Sequence, residues 1–330
     1  MKKLLVSVSI LAVALSSVSC GSRQKAGEGE LSGEITVSGA FALYPLAVKW
    51  AEEFRLLHPA VRIDISAGGA GKGMTDVLAN VADIGMVSRD VYPAELTKGA
   101  VPFAVAKDAV VPVISTGNPI LADLLKSGLT REDAIALWMT EKYKTWGEVA
   151  GTNDRSPIHL YTRSDACGAA ETWAQWIGGK QEDLCGTAVY GDPGLAQAVQ
   201  RDKLGIGFNN LSYAYDENTR QPNPGILILP LDVNGNGQID PEESFYDTKD
   251  HIIAAIAADR YPSPPARDLY MVTNGIPKNE AVAEFLKFIL TDGQQYNIPT
   301  GYIALAQDKL GRGLALLGVE EPEEKEENAE

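Results

Sequence analysis

Short apolar runs alternate with amphipathic helical stretches along most of this 330-residue chain, and this alternation restricts the fold more than any other feature. In the N-terminal part, runs and helical stretches follow one another at 34–38, 44–57, 61–66, 74–80 and 83–87. Such a strand–helix–strand order predicts a parallel sheet with helices on its faces. The pattern starts again after an apolar run at 110–115, and a chain of this length has room for about two domains. We therefore expect two α/β lobes.

Composition and charge narrow the class of protein further. Hydrophobic residues make up 45% and charged residues 22% of the chain, which is ordinary for a globular protein. The formal net charge of −15 repels polyanions and therefore argues against nucleic acid as a partner. The three cysteines and three histidines are widely scattered, so the sequence predicts no structural zinc site.

The N-terminus has the pattern of a targeting segment. Two lysines precede a short apolar stretch at 4–15, and small residues then lead to Cys20. This order resembles the signal peptide of bacterial lipoproteins, in which the cysteine carries the lipid, although Ser17 stands where leucine is usual. We expect residues 1–20 to be that signal peptide, with Cys20 lipidated and the exported protein anchored to a lipid bilayer, facing the periplasm or the cell surface. An ordinary secretory signal with a chance cysteine is the alternative.

The regions next to the two ends differ in composition from the body. Residues 21–33 are polar and rich in glycine, and we expect them to form a flexible tether. Residues 319–330 are dominated by glutamate, and we expect an acidic, solvated and disordered tail.

Three segments of the body join a strand end to a helix start through small residues. They lie at 38–42, 68–73 and 163–170. Small residues let backbone N–H groups approach a ligand, and a helix N-terminus offers unpaired donors with partial positive charge. Together these features predict an anion site that needs no net positive charge on the protein. Arg163 in the third segment and Lys72 in the second strengthen that prediction.

An ordered set of motifs resembles the phosphate-binding proteins of bacterial ABC transporters. The motifs are Ser38-Gly39, Tyr44-Pro45-Leu46, Lys49-Trp50, the glycine-rich segment 68–73, Ala82-Asp83-Ile84-Gly85 with Ser88-Arg89, Leu137-Trp138, Thr145-Trp146, and Arg163-Ser164-Asp165 with Gly168. The resemblance extends from about Glu34 to Tyr302. It implies the α/β, two-lobe type II periplasmic-binding-protein fold, in which each lobe is a mixed, mostly parallel sheet flanked by helices.

The resemblance also implies the domain organisation. Lobe 1 is expected to comprise 34–112 and 269–318, and lobe 2 is expected to comprise 113–268. Two strands form the hinge between the lobes in this family, and we place them near 110–115 and 268–272. The lobes close over a bound anion.

The resemblance further implies which residues surround the anion. The corresponding positions and their neighbours are Ala40, Phe41, Ala42, Gly69, Ala70, Gly71, Lys72, Ser88, Arg163, Asp165, Cys167, Gly168 and Ala169. The hydroxyl groups of the family are missing at Phe41, Ala70, Cys167 and Ala169. Arg163 can still hold an oxyanion through a planar pair of N–H groups, with Asp165 to orient it. The sequence therefore supports an oxyanion site better than it supports phosphate itself.

Plainer interpretations of the same residues stay open. In one interpretation, Arg163 and Asp165 form an ion pair at the protein surface. In the others, the Lys72 side chain is solvated, Ser88 only marks the end of a strand, and the glycines of 68–73 serve only a tight turn.

Cys167 supports a different hypothesis, a cysteine-dependent hydrolase or phosphatase. The helix start and Arg163 are both expected to lower the pKa of its thiol. A nucleophile also needs a base, and the nearest histidine, His159, lies within a predicted strand, so we expect no enzyme activity. With Cys20 lipidated, Cys167 and Cys185 are the pair left for a disulfide, whose formation the sequence leaves undecided.

Residues 232–243 match the twelve-residue calcium loop of EF-hands at every diagnostic position. Oxygen-bearing side chains fall at loop positions 1, 3, 5, 9 and 12, with glycine at position 6 and isoleucine at position 8. The predicted ligands are Asp232, Asn234, Asn236, the backbone carbonyl of Gln238, Asp240 and Glu243. We expect a structural calcium ion and no catalytic cofactor. An Asn- and Gly-rich turn without metal is the alternative.

Together these observations predict a substrate-binding lipoprotein of an ABC importer. It captures a small oxyanion between its lobes and delivers it to the transporter permease, and inorganic phosphate is the oxyanion that we expect. One alternative is a binder of another oxyanion such as sulfate, molybdate or tungstate. Another is a calcium-stabilised surface sensor or adhesion module with no transport role.

Overall fold

The fold is described from a computed structural model, which defines residues 30–319. The strands in this range are β1 (Gly33–Gly39), β2 (Val61–Ala67), β3 (Ile84–Val87), β4 (Ala100–Ser115), β5 (His159–Arg163), β6 (Thr187–Val189), β7 (Gly205–Asn210), β8 (Ile226–Ile228) and β9 (Ala266–Asn274). The predicted signal peptide with Cys20, most of the predicted tether and nearly all of the acidic tail lie outside the described residues.

Helices connect these strands and cover the faces of the sheet. They are α1 (Tyr44–Leu57), α2 (Ala70–Leu78), α3 (Pro93–Thr97), α4 (Leu121–Ser127), α5 (Arg131–Trp138), α6 (Trp146–Ala150), α7 (Gly168–Trp176), α8 (Gly191–Arg201), α9 (Leu211–Ala214), α10 (Lys249–Ala257), α11 (Glu280–Leu290), α12 (Asn297–Thr300) and α13 (Gln307–Leu316). Short 3₁₀ turns lie at Phe41–Leu43, Gln181–Asp183 and Asp292–Tyr296. None of the helices within residues 30–319 is both long enough and apolar enough to cross a lipid bilayer.

The strands form one mixed sheet in the order β2-β1-β3-β9-β4-β7-β5-β6, and β8 also pairs with β4. In the first lobe β1 runs parallel to both neighbours, and Val37 lies opposite Ile65 in β2 and Ile84 in β3. In the second lobe β5 runs parallel to β6 and β7, and Leu160 lies opposite Ile206. The parallel strands in both lobes confirm the predicted two-lobe α/β fold class, because such pairs require helical crossovers.

Two strands, β4 and β9, pass from one lobe to the other. They pair in antiparallel fashion from Ala100 opposite Asn274 to Ala109 opposite Ala266. The C-terminal half of β4 then pairs with β7 and β8, with Val113 opposite residues of both strands. The sheet is therefore continuous through the hinge, and relative motion of the lobes has to bend these two strands.

Each lobe has its own hydrophobic core. One core is built from both ends of the body and includes Trp50, Phe54, Phe103 and Phe285. The other is built from the middle of the chain and is centred on Trp138, Trp173 and Phe208. In the second core the rings of Trp173 and Phe208 stack with their centroids 5.6 Å apart. Because the two cores are separate, each lobe packs as a unit on its side of the hinge.

The structure differs from the sequence prediction at several element ends. Helix α2 begins at Ala70, four residues before the predicted start, so part of the glycine-rich 68–73 segment is helical. Strand β4 begins ten residues before the predicted run 110–115. Its N-terminal part pairs with β9, although this part contains Pro102 and the charged residues Lys107 and Asp108.

A buried lysine of the second lobe contacts a backbone carbonyl of the first lobe. Lys249 at the start of α10 is 1% exposed. Its Nζ donates to the carbonyl oxygen of Thr300 at 3.3 Å, next to Gly301. Burial disfavours the charged ammonium, Arg220 nearby adds repulsion, and together they lower the pKa of Lys249 to about 8.

This lysine makes stability depend on pH. Between about pH 8, the pKa of Lys249 in the folded protein, and pH 10.5, the ordinary lysine pKa, this side chain binds more protons in the unfolded chain than in the folded one. The contribution of Lys249 to the free energy of unfolding therefore rises with pH through this window. We expect wild type to gain roughly 2 kcal/mol relative to Lys249→Met between about pH 7.5 and 9.5, measured by urea unfolding. The exposed Lys98→Met is the control and should follow wild type. Parallel pH profiles for wild type and Lys249→Met contradict the assignment.

Candidate anion site between the lobes

The first two predicted turns lie side by side at one edge of the sheet. Ala40 donates its backbone N–H to the carbonyl oxygen of Met86 at 2.9 Å. Gly68 and Gly69 donate theirs to the carbonyl oxygen of Gly39 at 2.8 and 3.1 Å. This arrangement follows from the topology, because β1, β2 and β3 are parallel and their carboxyl ends meet at the same edge.

The third predicted turn comes from the other lobe and touches the second at backbone distance. Gly71 donates its N–H to the carbonyl oxygen of Ala166 at 3.0 Å. Gly69 has a φ of +93°, and a Cβ atom there would lie 2.8 Å from the same oxygen. A Cβ atom on Gly168 would lie 2.1 Å from the carbonyl oxygen of Ser88. The glycines are therefore required for the close approach of the lobes, and they do more than form a tight turn.

Helix starts point at this contact from both lobes. Helix α2 begins at Ala70 and helix α7 begins at Gly168, so the N–H groups of their first turns have no acceptor within the helix. Cys167 is the N-cap of α7, and its Sγ accepts a hydrogen bond from the N–H of Ala170 at 3.4 Å. The sulfur thus takes the capping role that a hydroxyl oxygen commonly has.

The first turn is held by tyrosines. The hydroxyl of Tyr213 donates to the carbonyl oxygen of Phe41 at 3.2 Å, and the hydroxyl of Tyr302 donates to that of Ala42 at 2.7 Å. The Phe41 ring packs edge-on against Tyr190 with their centroids 6.0 Å apart. It also lies 5.9 Å from the guanidinium carbon of Arg163. The apolar ring therefore covers one side of the buried cation.

Arg163 lies at the centre of the site. Its Nε and Nη2 donate to the two carboxylate oxygens of Asp165 at 2.9 and 2.6 Å. Its Nη1 donates to Oδ2 of Asp192 at 2.7 Å. The guanidinium has no exposed surface, so this is not a surface ion pair. Burial opposes its charge, but Asp192 and Asp165 raise the pKa of Arg163 above its ordinary value.

A chain of polar contacts continues from Asp192 to the hinge. Asn210 donates its side-chain amide to the other oxygen of Asp192 and accepts from Nη2 of Arg267. Nε of Arg267 donates to the carbonyl oxygen of Ser88 at 3.2 Å, and its Nη1 donates to Asp108 at 3.4 Å. Burial raises the pKa of Asp108, whose Oδ1 has no hydrogen-bond partner within the described residues. Strands of both lobes are thereby linked through one buried network.

Lys72 contributes its charge within its own lobe. Its Nζ donates to the hydroxyl of Ser38 at 2.7 Å and pairs with the carboxylate of Asp76. The side chain is 46% exposed. The Lys72 ammonium group therefore forms a partly solvated ion pair, which agrees with the interpretation of Lys72 as a solvated side chain. Ser88, in contrast, is buried at the contact with the second lobe.

The thiol of Cys167 is less acidic than the sequence predicts. Burial raises the pKa of Cys167 to about 12, and the opposing effect of Arg163 is smaller. The expected lowering by the helix start and Arg163 was wrong, because neither outweighs the removal of the thiol from water. Cys167 and Cys185 are both free cysteines. A thiolate nucleophile at this position is therefore disfavoured.

The predicted calcium loop is a tight turn next to α4. Gly235 and Gly237 donate their N–H groups to the carboxylate of Asp232, each at 2.7 Å. Val233 donates its N–H to Glu243 at 2.8 Å. Within residues 30–319 no group of three or more His, Cys, Asp or Glu side chains is gathered as metal ligands. The acids therefore contact loop amides, and calcium binding stays a prediction.

Asp192, Asn210 and Arg267 were missed by the sequence analysis. Asp192 follows Gly191 at the start of α8, so it repeats the strand–glycine–helix pattern of the three predicted turns. That pattern could have identified a fourth turn beside the third one, because β6 runs parallel to β5. Asn210 and Arg267 lie within strands, where a single polar residue gives no signal of what it faces.

Comparisons with known proteins agree on one family. The family model of the PBP superfamily domain matches residues 24–293. The phosphate-binding protein PstS of Pseudomonas aeruginosa is 27% identical over 88% of this chain and 88% of its own length. The phosphate-binding protein PstS of Bacillus subtilis is 24% identical over 87% of this chain and 85% of its own length.

Solved structures support the same fold. A substrate-binding protein from Clostridium perfringens, solved with bound phosphate, is similar with a TM-score of 0.67 and 22% identity, covering 83% of this chain and 100% of that one. An ABC-type phosphate transport receptor from Vibrio cholerae is similar with a TM-score of 0.60 and 20% identity, covering 82% of this chain and 100% of that one.

The contact at Gly168 yields a direct test of how the lobes meet. In Gly168→Ala the new methyl group meets the Ser88 backbone, which cannot move away as a flexible side chain would. We expect a loss of about 1–3 kcal/mol in the free energy of unfolding and a larger radius of gyration by small-angle X-ray scattering. Gly194→Ala, within α8, faces only the side chain of Val189 and should be stable and unexpanded. Equal behaviour of the two variants argues against the contact.

Proposed function

The chain belongs to the PBP superfamily, and we propose that it is the substrate-binding protein of an ABC importer that captures inorganic phosphate between its two lobes. One observation carries the proposal: three helix-start turns from both lobes converge around the buried guanidinium of Arg163. Relatives with phosphate-binding names that align over most of the chain support it. No covalent chemistry is part of this function.

Backbone dipoles explain how an acidic protein holds an anion. The first-turn amides of α2 and α7 other than those of Gly71 and Ala170, together with those of the turn at Phe41, supply donors that carry no net charge. Arg163 and the hydroxyl of Ser88 add side-chain donors from the two lobes. Because the hydroxyls of the related proteins are missing at several positions, these groups carry most of the binding energy. Closure of the lobes keeps water away and strengthens each of these interactions.

Delivery to the permease requires the lobes to separate again. The continuous strands β4 and β9 are the strands that bend during this motion, because each contributes residues to both cores. We also propose that the protein is exported and held at the membrane by a lipid on Cys20, so that the captured anion stays close to the permease.

Calorimetry with inorganic phosphate tests the proposed substrate. We expect wild type to bind phosphate and Arg163→Lys to bind it about 10–100-fold more weakly, because lysine cannot reproduce the planar pair of charged hydrogen bonds. Arg155→Ala removes an exposed arginine of the same lobe and should leave the dissociation constant unchanged. Parallel titrations with sulfate, molybdate and tungstate identify the substrate. If one of these binds and phosphate does not, the protein serves another oxyanion.

We further propose that the loop 232–243 binds a structural calcium ion. The motif at every diagnostic position supports this, together with the burial of Asp232 and Glu243. Calcium would replace the amide contacts of these carboxylates and would turn the side-chain oxygens of Asn234 and Asn236 inward.

Thermal unfolding measures whether calcium binds. Millimolar calcium is expected to raise the melting temperature of wild type by roughly 2–4 °C, with full reversal by a chelator. The increase should disappear in Asp232→Ala and persist in Asp123→Ala, which removes an exposed acid from α4. No shift in wild type identifies the loop as a turn without metal.

A further inference from the structure

We propose that Asp192 acts as a tethered carboxylate that competes with the incoming oxyanion for Arg163 and thereby lowers the affinity of the site. This inference rests on the proposed function, because it concerns the same cleft.

A guanidinium group offers two edges, at each of which two oxygens of a carboxylate or a tetrahedral oxyanion can accept hydrogen bonds. Asp165 occupies the edge made by Nε and Nη2 of Arg163. The remaining edge is made by Nη1 and Nη2. Asp192 accepts from Nη1 at 2.7 Å and therefore holds half of the edge that an oxyanion needs.

Asp192 is fixed in this position by neighbours from the same lobe. The side chain of Asn210 donates to its second carboxylate oxygen, and the side chain of Asn209 donates to its backbone carbonyl oxygen at 3.0 Å. Asp192 is 1% exposed, and no solvent competes for its carboxylate. An oxyanion that approaches Arg163 therefore meets a carboxylate that is already positioned and dehydrated.

The charge around Arg163 opposes a second anion. One guanidinium faces the two carboxyl groups of Asp165 and Asp192, both of which are buried. At short range in a low-dielectric site, like charges repel strongly. An anion that reaches Nη1 has to displace Asp192 from it.

The position of Asp192 allows that displacement. It lies in the first turn of α8, an eleven-residue helix whose N-terminus attracts negative charge. After leaving Arg163, its carboxylate can remain bound to Asn210 and the helix start. The free energy needed to move the Asp192 carboxylate away from Nη1 therefore sets how tightly the oxyanion binds.

Calorimetry with inorganic phosphate on wild type and Asp192→Asn tests this inference. The asparagine keeps the shape and the contact to Asn210 but removes the charge that competes for Arg163. We expect the dissociation constant for phosphate to fall at least 10-fold. Asp123→Asn makes the same charge change at an exposed position of α4 and should leave the dissociation constant within about 2-fold of wild type. Thermal unfolding checks that each variant is folded, and Asp192→Ser replaces Asp192→Asn if the latter is not.

The outcomes separate this inference from the proposed function. The competition is supported if Asp192→Asn binds phosphate more tightly than wild type and Asp123→Asn does not. This includes the case in which phosphate binding by wild type is too weak to measure. An unchanged or larger dissociation constant in Asp192→Asn, with phosphate binding by wild type, overturns the inference and leaves the proposed function intact. Equal tightening by Asp123→Asn shows a net-charge effect and also overturns it. Absence of phosphate binding in every variant rejects both.

Discussion

The site depends on one interaction, the burial of the Arg163 guanidinium between two carboxylates. Taking an arginine out of water costs several kcal/mol, and the cost is offset only when charged hydrogen bonds satisfy it in good geometry. Here three N–H groups reach Asp165 and Asp192 at 2.6–2.9 Å. Asp165 comes from the turn before α7 and Asp192 from the start of α8, so the cation fixes these two helix starts relative to each other.

The second constraint is the absence of side chains where the lobes meet. Gly69, Gly71 and Gly168 let backbone atoms of the two lobes approach within hydrogen-bonding distance. A contact of this kind brings peptide dipoles, rather than side-chain charges, to the cleft. That choice suits a protein whose formal net charge is −15, because it creates a local positive potential without adding cations. Because backbone amides supply the positive potential, Lys72 is free to form its ion pair with Asp76 within its own lobe.

The fold class could be predicted from the sequence because it depends on periodicity, and helix α1 was predicted at the observed bounds for that reason. The three turns were predicted because each joins a strand end to a helix start through small residues, a pattern that is local in the sequence. Asp192 was missed because its partner Arg163 is 29 positions earlier, and the two come together through the pairing of β5 with β6, in which Arg163 lies opposite Val189. The pKa of Cys167 was mispredicted because local features indicate a helix start and a nearby cation but not the depth of burial.

The interleaved order of the sheet affects how the polypeptide folds. Strand β9 lies between β3 and β4, yet it follows nearly the whole of the second lobe in the sequence. The middle of the sequence can therefore assemble most of its core before the last segment joins the sheet. Meanwhile β3 and the first half of β4 expose unpaired apolar edges, and α11 is not yet present to cover them. Such edges invite aggregation, so the N-terminal third is the most aggregation-prone part of the folding chain until the last segment joins the sheet.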